Sequence, residues 1–130
     1  MKINEITVLV VDDDMWMLRV LQKNLRNLGV TKIFTVDNGF SAVATALAEK
    51  PDLVFLDLMM PELDGIQTLK MLKTIPETQD AKVIICSGHT DVQNFGKTIL
   101  LGATEYIAKP FTADIIKEKL KKIYEDIFDE

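Results

Sequence analysis

Five short runs rich in Val, Ile and Phe, at residues 6–11, 32–36, 53–56, 82–86 and 105–107, constrain the fold of this chain more than any other feature. Several carry no alternation of apolar and polar residues. Strands formed there must be covered on both faces, as in a parallel sheet flanked by helices. The segments between them have helical period and recognisable ends. Met17, Leu21, Leu25 and Leu28 form one stripe that begins after three aspartates and stops at Gly29. An Ala-rich segment follows Asn38 and ends at Lys50 before Pro51, and Ile66, Leu69 and Leu72 mark a third helix. A fourth is expected from Thr90 or Asp91 to Gly102, and a fifth, capped by Thr112, carries the stripe Ile116, Leu120 and Ile123.

Alternation of this kind, with right-handed crossovers, predicts an α/β fold: a (βα)5 doubly wound parallel sheet of five strands in the flavodoxin-like order 2-1-3-4-5. With 130 residues the chain is expected to be a single domain over 1–130 with no output domain. A hydrophobic fraction of 48% with 4 Pro and 6 Gly is the profile of a packed globule. The formal charge of -5 offers nothing to attract a phosphate backbone, so nucleic acid is not expected as a direct partner. No apolar stretch approaches the roughly 18 residues of a membrane span. Cys86 has no second cysteine to pair with and lies in an apolar run, where it reads as a small core residue. A cytoplasmic protein is expected. The lysines at 117, 119, 121 and 122 read as a solvated face of the last helix.

In open α/β sheets ligands bind beyond the carboxyl ends of the strands, so the residues found there carry the chemistry. Strand one runs into Asp12, Asp13 and Asp14, strand three into Asp57, strand four into Ser87, and strand five into Lys109 and Pro110. One helix cap accounts for Asp14 but not for three carboxylates. Two like charges about 4 Å apart cost about 4 kcal/mol at an effective dielectric near 20, so a cation belongs among them. With only oxygen donors present, a hard ion such as Mg2+ fits. Asp13 and Asp57 are the expected direct ligands, Asp12 acts through water, and the backbone carbonyl of Met59 completes the set.

Four motifs in order, Val8-Leu-Val-Val-Asp-Asp-Asp14, Leu56-Asp-Leu-Met-Met-Pro-Glu-Leu-Asp-Gly65, Ile85-Cys-Ser-Gly88 and Gly102-Ala103 followed by Tyr106-Ile-Ala-Lys-Pro-Phe111, resemble the receiver domain of bacterial response regulators over essentially the whole chain. The resemblance implies that Asp57 accepts a phosphoryl group from a phosphohistidine on a sensor histidine kinase or histidine phosphotransfer domain. It implies that Lys109 contacts that group, that the Lys109-Pro110 bond is cis, and that the Ser87 hydroxyl swings in after phosphorylation. Tyr106 then rotates and remodels the face of helix four, strand five and helix five for a downstream protein. Packing at the sheet edge is the other reading of Tyr106.

Around this site, Met59 and His89 lie two residues past Asp57 and Ser87, where the resemblance implies tuning of acyl-phosphate hydrolysis. Met59 offers no hydrogen bond to a water, so a long-lived phosphorylated state is expected. His89 is either a phosphoryl contact or an exposed loop residue. Met15, Trp16 and Leu18 put more apolar surface at the start of helix one than one stripe requires, and serve either in docking the phosphodonor or in the core. A haloacid-dehalogenase-type phosphatase would need a second Asp where Met59 stands. A flavodoxin would need phosphate-binding hydroxyls where Asp12, Asp13 and Asp14 stand. A phosphorylation-independent scaffold would have no use for the full acidic set. The chain is therefore expected to be a switch and not an enzyme, with helix four to helix five as the first place to seek a dimer.

Overall fold

A computed structural model describes residues 1–88 and 95–129. Five strands, β1 (Thr7–Val11), β2 (Lys32–Val36), β3 (Leu53–Asp57), β4 (Lys82–Ser87) and β5 (Glu105–Ala108), alternate with five helices. These are α1 (Met15–Leu28), α2 (Gly39–Glu49), α3 (Gly65–Thr74), α4 (Phe95–Leu100) and α5 (Ala113–Ile123). The expected start of the fourth helix at Thr90 or Asp91 lies outside the described residues, as does His89.

The strands form one sheet in the order β2-β1-β3-β4-β5, and every neighbouring pair is parallel. The runs without alternation are the central strands: every residue of β3 is buried, and so are four of the five in β1. β2, at an edge, is exposed or half-buried throughout. Each face of the sheet carries its own core. On one, Val8, Val10, Phe55, Ile84 and Cys86 meet Leu21 and Leu25 of α1 and Ile116 and Leu120 of α5. On the other, Leu9, Val54, Leu56, Val83 and Ile85 meet Ala42, Val43 and Ala46 of α2 and Leu69 and Leu72 of α3. Parallel crossovers of one hand place the helices this way.

Local signals set the helix ends. Asp14 caps α1 by accepting from the Trp16 amide at 2.9 Å, and Gly29 ends it at φ +115°, where a side chain is strained. Asn38 caps α2, while Asp64 and Gln67 form a reciprocal capping box on α3. Thr112 caps α5. The basic helix α5 departs from a purely solvated face: Lys119 is half-buried and donates to Glu105 of β5 at 2.8 Å, because the helix lies across the strand.

Candidate phosphoacceptor site

The register of the sheet assembles the site. Val11 pairs with Leu56, Asp57 with Cys86, and Ser87 with Ala108, so the residues that follow β1, β3, β4 and β5 emerge side by side at one end. Backbone bonds extend the ladder there: Asp12 N–H donates to Val36 O at 3.2 Å, and Lys109 N–H to Ser87 O at 2.7 Å. Asp12 and Asp57 are buried, Asp13 is exposed, and ligand oxygens of all three lie within 4.8 Å of one another.

Lys109 closes the cluster. Its Nζ donates to Asp12 Oδ2 at 2.7 Å and stands 3.5 Å from Asp57 Oδ1. The Lys109-Pro110 peptide is cis. Asp12 Oδ1 also accepts from the Asp14 amide at 2.9 Å, and the Met59 amide approaches Asp57 Oδ1 at 3.4 Å. Burial first, and the Asp12 charge second, push the Asp57 carboxyl from 3.8 up to about 6, against the pull of Lys109 and the Met59 amide. Burial alone would lower the Lys109 pKa, but its bond to Asp12 and the charges of Asp57 and Asp12 outweigh it and raise the pKa.

Among the described residues three carboxylates stand against one ammonium, which leaves the cluster negative, and the donors are all oxygen, which fits a hard divalent cation. The mouth is a depression of about 410 Å³ lined by Asp13, Leu58, Met59, Met60, Pro61 and Asp64. Met59 is 65% exposed there, so its side chain serves no core. At the opposite end of the sheet a cleft of about 340 Å³ is lined by residues including Lys50, Asp52, Lys82 and Tyr124. Two of its polar groups serve the fold: the Asp52 carboxylate accepts from the Thr7 amide, and Tyr124 OH donates to the Asp52 carbonyl.

Ser87 is fully buried at the end of β4. Tyr106 is half-buried on β5, with its OH donating to the Gly88 carbonyl at 3.3 Å and its ring 5.0 Å from that of Phe95. It thus joins the residue after Ser87 to α4. Met15 and Trp16 are 65% and 71% exposed, whereas Leu18 packs against the core. Core packing of Trp16 is therefore overturned. The buried stripe of α1 runs through Leu21 and Leu25, and position 16 lies about 140° around the helix from position 21.

Sequence reasoning gave Gly65 no separate role. A Cβ there would lie 2.2 Å from Asp57 O and 2.5 Å from Leu58 Cα, so the first residue of α3 must be glycine for the helix to abut the Asp57 loop. The only signal was its place in the Asp64-Gly65 pair.

With this site in place, the chain belongs to the response regulator receiver domain family, whose model matches residues 8–121. It therefore takes the general role of a phosphoacceptor in two-component signalling. Among its relatives, sporulation initiation phosphotransferase F of Bacillus subtilis is 36% identical over 115 residues, covering 88% of this chain and 90% of that protein. The chemotaxis protein CheY of Bacillus subtilis is also 36% identical over 115 residues, covering 88% and 94%. The receiver domain of NtrX from Brucella abortus superimposes with a TM-score of 0.83 at 30% identity, covering 91% of this chain and 98% of that one. A putative response regulator from Chloroflexus aurantiacus gives 0.85 at 26% identity, covering 91% and 96%.

Proposed function

We propose that Asp57 is the phosphoacceptor and that it takes its phosphoryl group from a phosphohistidine on a sensor histidine kinase or histidine phosphotransfer domain. The observation that carries this reading is the convergence of Asp12, Asp13, Asp57 and Lys109 at the carboxyl end of the sheet. A carboxylate oxygen of Asp57 attacks phosphorus, and the P–O bond forms as the P–N bond breaks. The imidazole departs with the electron pair. Asp13, Asp57 and the Met59 carbonyl would hold a Mg2+ directly, and Asp12 through water. When bound, that ion neutralises charge on the oxygens of the group in transit. Lys109 supplies a second positive charge from the facing strand. Trp16 and Met15, 71% and 65% exposed at the start of α1 directly after the acidic residues 12–14, dock the donor.

The new group adds a charge of about -1.5 to -2 and three acceptor oxygens. Ser87 donates to it, Tyr106 changes rotamer, and the face of α4, β5 and α5 presents a different surface to a downstream protein. The resulting molecule is a cytoplasmic switch that turns over no external substrate.

Titration calorimetry tests the ion site. Wild type should take up one Mg2+, and Asp13→Asn, which alters an exposed side chain, should weaken uptake about tenfold or more. Equal affinity in the two proteins, or steady turnover of a phosphomonoester, would overturn the reading.

A further inference from the structure

The outward face of α2 stands apart from the rest of this acidic surface. Phe40 and Leu47 are 57% and 40% exposed, Ala44 and Ala48 are exposed beside them, and no charged residue occurs between Gly39 and Ala48. Phe40, Ala44 and Leu47 fall within about 60° of one another around the helix, so they form one stripe. The stripe is symmetric along its length. Phe40 and Leu47 lie equally far from a point between Val43 and Ala44, and so do the exposed Asp37 and Lys50 at the two ends of the helix.

We propose that this face pairs with the same face of a second copy, through antiparallel contact of two α2 helices about a twofold axis near Ala44. A twofold axis there sets Phe40 of each copy against Leu47 of the other, with small Ala44 at the crossing, as a self-complementary interface requires. The same operation sets Asp37 beside Lys50 of the other copy at both ends of the contact, so the charges complement as the apolar groups do. It also supplies what the helix lacks. α2 has no acidic residue in its first turn and no basic residue in its last, and an antiparallel partner brings its opposite dipole end to each terminus. α2 packs behind β1 and β2, at the far edge of the sheet from β5, so dimerisation leaves the α4–β5–α5 face open.

One helix pair falls short of the roughly 1,200 Å² of stable complexes, so the dimer is weak, with a dissociation constant on the order of 100 µM. Sedimentation equilibrium from about 10 µM to 1 mM should show reversible dimers. Leu47→Glu should raise the dissociation constant about tenfold or more while the circular dichroism spectrum is unchanged. Asp37→Lys and Lys50→Asp should each weaken the dimer about threefold, and the double exchange, which keeps the net charge, should restore it. Asp is chosen at position 50 because its φ of +48° is one that Asp tolerates. Under oxidation Ala44→Cys should give a covalent dimer, whereas Lys121→Cys on α5 should not; native Cys86 is buried and stays out of the reaction. A monomer at 1 mM, or a dimer indifferent to Leu47→Glu, overturns the proposal.

Discussion

Replacing Asp57 by Asn should stabilise the metal-free protein at neutral pH, because the wild-type fold holds that carboxylate against its preference. Its pKa is raised from 3.8 to about 6, first by burial and then by Asp12. The folded state therefore binds the proton more tightly than the unfolded chain does. With this sign the stabilising contribution is complete below pH 3.8 and is lost as pH rises through about 6. At about 1.4 kcal/mol per pKa unit, the loss at pH 7 comes to about 3 kcal/mol. Asn keeps the shape without the charge, and the pull of Lys109 is already contained in that shift, so a net gain of about 1–3 kcal/mol is expected. Urea unfolding in EDTA should show this advantage at pH 7 and a fall to well under half of it by pH 4. Magnesium should then narrow the gap at pH 7 by stabilising the wild type more. An Asn variant equal to or less stable than wild type at pH 7 in EDTA would refute the reasoning.

Three further outcomes follow from neighbouring contacts. Gly65→Ala would force a Cβ against the Asp57 carbonyl, so it should lower stability by about 2–4 kcal/mol and abolish phosphoryl uptake, checked by thermal melts and intact mass. Met59→Asn places a hydrogen-bonding group at the open mouth and should speed acyl-phosphate hydrolysis several-fold without changing stability by more than about 0.5 kcal/mol; an unchanged rate would remove Met59 as a tuning residue. Trp16→Ala should slow transfer from a phosphohistidine donor about tenfold while leaving uptake from acetyl phosphate at the wild-type rate. Equal losses with both donors would mean that Trp16 acts on the site and not on docking.

The sheet was legible because burial on both faces forces unbroken apolar runs, and β1, β3 and β4 obey that rule. The helix ends at Asp14, Gly29, Asn38 and Thr112 were legible because each satisfies a backbone group locally. Strand-end position alone pointed to Asp12, Asp13, Asp57, Ser87 and Lys109. What stayed hidden depends on distance across the fold. Lys109 meets Asp12, 97 residues away, more closely than it meets Asp57, and no local pattern encodes that choice. Helical period could not decide whether Trp16 was buried, since both faces of α1's first turn are apolar in sequence. The Lys119 pair with Glu105 and the contact behind Gly65 likewise arise only when α5 and α3 settle on the sheet.

Intact-mass spectrometry after incubation with acetyl phosphate and Mg2+ tests the central claim most directly. Wild type should gain one phosphoryl group, about 80 Da, and both Asp57→Asn and wild type in EDTA should gain none. An equal adduct on Asp57→Asn, or no adduct on wild type from acetyl phosphate or a phosphohistidine donor, would contradict it.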